Sequence, residues 1–302
     1  MQIRGKKSVL TALARGEEVL VIVMGGGMSC VISLGVLAAL VRADLHRFKA
    51  GIGVSGGACN LAALFSNPEK IESVLEVFEY LACGGFLRLR LGPLGWYLAF
   101  NLEELIQTLE GKRSHIGLPA LDEANVASQP SPFWVVATDH RSGKGVFLDA
   151  KRDLFRKLRA TMSVQGVCSP VDMEGRQVSD GQVGLKIGPA IRKVMARKVI
   201  VIMNRPPMEN RGWWEQMLTP TVTRMALLTE SRELREAAAT MDFSFSDEVR
   251  RLEACKRVET LVIYPDFMED MWPWTNNVSL LNLSFARARD FTERLVEDAR
   301  AV

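Results

Sequence analysis

The chain has 302 residues, of which 48% are hydrophobic, 24% charged and 7% aromatic, an ordinary globular composition able to bury a large core. A formal charge of +3 is too small for a nucleic-acid partner and leaves room only for mild attraction to an anionic membrane face. The five cysteines form no short-spaced pair and the three histidines (His46, His115, His140) are scattered, so neither a metal site nor a redox motif is expected, and the cysteines read as reduced core residues of a cytoplasmic protein.

Residues 1–14 set Arg4, Lys6 and Lys7 ahead of a short apolar stretch whose ending, Ala12-Leu13-Ala14, resembles a cleavage site. That stretch is at the lower limit for a secretory signal, and no leader is expected. Residues 19–41 carry no charge over a length that could span a bilayer. Gly25-Gly26-Gly27 interrupts them, however, with the apolar run VLVIVM before and helically spaced Val31, Leu34, Leu37, Ala38 and Val41 after. A buried strand, a loop and a helix account for this better than one membrane helix.

The next strand is expected over residues 50–54, with helices over 57–65 and from Pro68 to about 78. Residues 84–100 mix large apolar side chains with Arg88 and Arg90, as a lid or interfacial wedge would. Strands follow at 133–137, 145–148, 198–203 and 260–264, and helices at 154–161, 189–195, 221–241 and 280–299. Trp213-Trp214 and Met271-Trp272-Pro273-Trp274 suit either a membrane interface or a buried surface. Alternating strands and helices predict an α/β fold, a mostly parallel central sheet with helices on both faces, built as one domain over residues 1–302.

Gly53-Val54-Ser55-Gly56-Gly57 matches G-x-S-x-G at the strand-to-helix junction where a serine nucleophile belongs. Small neighbours let the chain turn sharply there, and the helix start favours developing negative charge. The plain alternative is a glycine-rich turn with Ser55 as a helix cap. The triple glycine can turn backbone N–H groups into a nest for an oxyanion. It is not a dinucleotide fingerprint, because Cys30 stands where the last glycine would be. No histidine follows His140, so the order Ser, acid, His of an ordinary α/β-hydrolase is excluded. A carboxylate must then act as base, and Asp180, in Val178-Ser179-Asp180-Gly181, is the best placed; a surface Asp-Gly turn is its alternative.

In order and spacing these three signals resemble the patatin-like phospholipases: a glycine-rich loop after the first strand, a G-x-S-x-G elbow about thirty residues on, and a D-G aspartate far downstream. Gly35-Val36-Leu37, Val136-Ala137-Thr138-Asp139, Arg159-Ala160-Thr161-Met162-Ser163 and Ser169-Pro170-Val171 add to the likeness, which spans roughly residues 18–200. The resemblance implies a three-layer α/β sandwich and a serine lipid acyl hydrolase. Its catalytic dyad would be Ser55 and Asp180. The oxyanion hole would come from Gly25, Gly26, Gly27 and Met28, and the nucleophile elbow from Gly53 and Gly57. It implies a lipid substrate, no cofactor and peripheral membrane contact. Two places depart from the family pattern: Ser29 and Cys30 replace a basic residue and a glycine, and Gln182 follows Asp-Gly where a small residue is usual. A non-catalytic lipid-binding or regulatory protein on the same fold is therefore the alternative reading.

Overall fold

A computed structural model describes the protein except residues 86, 93–94, 113–116, 208–219, 222, 225–226, 267–273 and 302, and describes the backbone alone at 85, 87–92 and 95–100. Continuous apolar runs form the centre of its sheet. In chain order the elements begin with β1 (Gln2–Gly5), α1 (Ser8–Ala14), β2 (Leu20–Val23), α2 (Val31–Arg42), β3 (Ala50–Gly53), α3 (Gly56–Ser66) and α4 (Val74–Tyr80). A hairpin of β4 (Leu87–Gly92) and β5 (Gly95–Phe100) leads to α5 (Leu102–Leu109), α6 (Glu123–Ser128), β6 (Phe133–Asp139), β7 (Gly145–Asp149) and α7 (Leu154–Met162). Then come β8 (Val171–Met173), β9 (Arg176–Asp180), α8 (Ile187–Val194), β10 (Lys198–Ile202), α9 (Arg232–Glu253), β11 (Glu259–Tyr264) and α10 (Val278–Arg300).

Nine of the strands join in one sheet of order β1-β11-β10-β2-β3-β6-β9-β8, with β7 also on β6. The five strands from β11 to β6 run parallel, while β1, β7, β8 and β9 pair antiparallel, so the sheet is mixed with a parallel centre. Side chains alternate between its faces. Val21 and Val23 join the core built with α1–α5, α7 and α10, whereas Leu20 and Ile22 join the core of α8 and α9. Each β2 side chain is fully buried, which is why its sequence lacks the polar alternation of a half-exposed strand.

Several expected boundaries move. Residues 1–14 form β1 and α1, and β1 pairs with β11 from Gln2↔Tyr264 to Gly5↔Leu261. The stretch after Pro68 is a 3₁₀ turn (Pro68–Ser73) before α4 begins. The helix expected over 221–241 is instead α9: Ser231 accepts the Leu234 N–H at 3.1 Å and starts it, and buried Leu234, Ala238, Phe245 and Val249 carry the apolar stripe past residue 241. Among the described residues no helix is long and apolar enough to cross a membrane, and residues 19–41 are the expected strand, loop and helix.

Candidate active site

Two strands arrive end to end along one edge of β6. The other edge is taken by β7 from Trp134 to Thr138. On the shared edge β3 runs parallel and ends with Gly53 opposite Val135, while β9 runs antiparallel and ends with Asp180 opposite Ala137. Two residues of β6 separate the strand ends by about 7 Å. Sheet register alone thus brings residues 55 and 180, distant in sequence, to one spot.

Thr161, at the end of α7, closes the gap. Its hydroxyl donates to the Val136 carbonyl and accepts the Ser55 N–H at 2.9 Å, and its carbonyl accepts the Gly181 N–H at 3.2 Å. Ser55 has φ 51° and ψ −134°, a conformation rarely adopted by a side-chain-bearing residue and costing on the order of 1–3 kcal/mol. The rigid strand behind it and the start of α3 ahead hold it there. Gly57 makes this possible: a Cβ at that position would lie 2.4 Å from the Met24 carbonyl oxygen, so α3 packs against the end of β2 only without one. Gly53 ends β3 just before the turn.

Asp180 is 5% exposed. Its carboxyl accepts the Gln182 N–H at 2.8 Å and lies beside the Ser55 hydroxyl. Burial pushes its pKa up to about 6 and outweighs these two neighbours, which pull the other way. The Asp180 carbonyl accepts from Thr138 Oγ1 at 2.6 Å and Gln165 Nε2 at 2.7 Å, which fixes the backbone behind the carboxyl.

The glycine loop lies beside Ser55. Gly26 is extended, and Gly27, at φ 56°, opens a 3₁₀ turn (Gly27–Cys30) that runs into α2. The N–H groups of Gly27 and Met28 begin this helical stretch and so have no partner within it. Gly25 donates its N–H to Gln182 Oε1 at 2.9 Å. Cys30 is right-handed helical (φ −64°), so replacing a glycine there imposes no left-handed strain, and Ser29 bonds the Gly26 carbonyl at 2.7 Å. Gly25, Gly26, Gly27, Met28, Ser55 and Asp180 all line one cavity of about 550 Å³. Gly53 is not among its lining, nor is Gly57; both shape the turn from behind.

The rest of the cavity is mostly apolar. On one face of the sheet Val77, Phe78 and Leu81 face Leu102, Leu105 and Leu109; on the other stand Met241, Phe245 and Ser246 of α9, with Arg205 and Asp242. The hairpin over residues 87–100, within the 84–100 stretch expected as a lid or interfacial wedge, links α4 to α5, both of which line the cavity; its side chains lie outside the described residues, as do Trp213, Trp214 and residues 271–273. Trp274 lines the cavity and is 50% exposed. Asn204, which sequence reading did not single out, ties the site together: Nδ2 donates to the Met24 carbonyl and Oδ1 accepts the Ser33 N–H at 2.9 Å. Asn204→Leu should remove both bonds, lower thermal stability by about 2 kcal/mol and reduce activity, as a melting curve beside an esterase assay would show.

Neither described histidine lines the cavity: His140 Nδ1 sits 3.1 Å from Glu230, His46 Nδ1 3.7 Å from Asp44, and His115 lies outside the described residues. The described residues hold no cluster able to bind a metal ion.

The patatin-like phospholipase family profile matches residues 21–190, from the first core strand through the aspartate. The chain belongs to the patatin-like phospholipase family. That is a family of lipid acyl hydrolases. The chain is 25% identical over 199 residues to the uncharacterized protein YjjU of Escherichia coli (strain K12), an alignment covering 64% of this chain and 54% of that protein. It therefore spans about half the length of this relative. The crystal structure of VipD from Legionella pneumophila overlays with a TM-score of 0.43 at 10% identity, covering 93% of this chain and 67% of VipD.

Proposed function

We propose that this patatin-like protein hydrolyses carboxylic esters of phospholipids or related lipids with a Ser55–Asp180 dyad. The observation that carries the reading is the Ser55 hydroxyl beside a buried carboxyl, in one cavity, whose pKa is raised to about 6. A carboxylate is a weak base in water; with its pKa moved toward neutrality and the serine hydroxyl beside it, it can accept the serine proton as the hydroxyl attacks. Serine oxygen bonds to the ester carbonyl carbon, and the carbonyl oxygen becomes an oxyanion beside the N–H groups of Gly26, Gly27 and Met28. Collapse expels the alcohol, which takes the proton from Asp180. Water then repeats the sequence on the acyl-serine and frees the fatty acid.

The apolar wall from α4 and α5 suits an acyl chain, and its membership in the larger core explains its lack of polar groups. The glycine-loop departures do not favour the non-catalytic alternative, since Ser29 and Cys30 both fit without strain. Exposed Trp274 at the cavity supports peripheral contact with a membrane. Labelling with a fluorophosphonate probe tests the reading. Peptide mapping should place a single adduct on Ser55; a folded protein that takes no label would sink it. Leu105→Trp should lower kcat/KM on esters of twelve or more acyl carbons by about tenfold while sparing four-carbon esters, since each buried methylene contributes about 0.8 kcal/mol.

A further inference from the structure

Gln182 touches both halves of the site. Its backbone N–H donates to Asp180 Oδ1 at 2.8 Å, and its side-chain oxygen accepts the Gly25 N–H at 2.9 Å. A Cβ built on Gly25 would lie 2.8 Å from that oxygen and 2.9 Å from the Ser55 Cβ, so amide, loop and nucleophile meet at one point. The first bond is available to any residue except proline. The second needs an acceptor about four bonds out from the backbone, which a small residue lacks.

The loop's other fastenings do not replace it. Ser29 bonds Gly26 within the loop itself, and Asn204, just past the end of β10, holds the preceding Met24. Gln182 alone among the described residues ties Gly25 to the strand that carries the aspartate. We propose that Gln182 is a positioning residue: its side-chain amide holds the glycine loop in register with Ser55 and commits the Gly25 N–H, leaving the oxyanion to Gly26, Gly27 and Met28. The inference rests on the Ser55–Asp180 reading above. It also assigns a use to a residue that departs from the family pattern: the amide supplies, from outside the loop, an anchor in a protein whose position 29 carries no basic side chain.

The test compares wild type with Gln182→Met, which fills similar space without an acceptor, and with Gln182→Ala. The measurements are kcat and KM on a soluble acyl ester, the pH profile of kcat/KM, the second-order rate of fluorophosphonate labelling, and the melting temperature. A loop displaced by a fraction of an ångström is expected to lower kcat roughly ten- to a hundredfold in both variants, with KM within about twofold and labelling slowed in parallel. The acid limb of the pH profile should stay at its wild-type position, because the backbone bond to Asp180 survives both substitutions. A Met variant with wild-type kcat would overturn the proposal. So would a loss of kcat accompanied by a shifted acid limb or a lowered melting temperature, which would mark Gln182 as packing around Asp180 rather than as an anchor of the loop. Failure of the underlying reading looks different: wild type would not label, or Ser55→Ala would keep its turnover.

Discussion

Asp180→Asn is expected to lower kcat/KM by roughly 10⁴-fold, and Ser55→Ala by at least as much, with the double variant no worse than the weaker single one. In the proposed dyad the two residues act as one unit, so their losses should not add. The amide keeps the shape of the carboxyl and can still accept the Gln182 N–H, but it cannot take a proton from Ser55. The wild-type pH profile follows from the same group. Asp180 accepts a proton only when ionised, and its pKa stands at about 6, so kcat/KM should rise through that value and level off above it. Stability should move the opposite way. A carboxyl whose folded pKa is raised above its unfolded value binds protons more readily in the native state, so its contribution to stability is lost as pH climbs from about 4 to 6. By neutral pH the ionised form costs the fold up to about 3 kcal/mol. Asp180→Asn should therefore melt at an equal or higher temperature than wild type at pH 8, with the advantage vanishing near pH 4. An Asn variant that is inactive because it unfolds would contradict this account.

Gly181→Ala should damage stability and chemistry together. A Cβ there would sit 1.9 Å from the Val136 carbonyl oxygen and 2.6 Å from its carbonyl carbon, and no rotamer change relieves contacts with backbone. Either β6 shifts, disturbing its pairing with β3 and β7, or the end of β9 swings out and takes Asp180 with it. A loss of about 3 kcal/mol is expected, read as a lower melting midpoint, together with a fall in kcat of roughly 10²-fold. Cooling should restore the fold of the variant before it restores its activity. Full activity with an unchanged melt would show that the strands tolerate the extra atom, against the geometry.

Much of this site is legible in the sequence because its parts are local. The elbow around Ser55 announces itself by glycines at a strand-to-helix junction, and the triple glycine follows a β-branched run. The parallel centre of the sheet shows in uninterrupted apolar segments, buried on both sides. What the sequence hides is long-range pairing. Nothing local in residues 2–5 says they lie against 261–264, and nothing around Asn204 says that it reaches Met24 and Ser33. The Thr161 hydroxyl between two strand ends is visible only once β3 and β9 share an edge of β6. The shifted boundaries of the helix expected over 221–241 have a different cause: periodicity continues through the region, and the Ser231 cap that starts the long helix looks like any other serine.

The position of β2 bears on how the chain folds. That strand lies between β3, which follows it closely, and β10, which the ribosome delivers about 180 residues later. Ser55, Asp180 and the glycine loop are all synthesised before Asn204 emerges to fasten Met24. A growing chain thus carries the proposed dyad and glycine loop while the sheet that aligns them still lacks β10 and β11. Such an order of assembly favours slow, non-local folding. The alignment of Ser55, Asp180 and the glycine loop thus waits on the last third of the chain, which supplies Asn204 and the strands beyond β2.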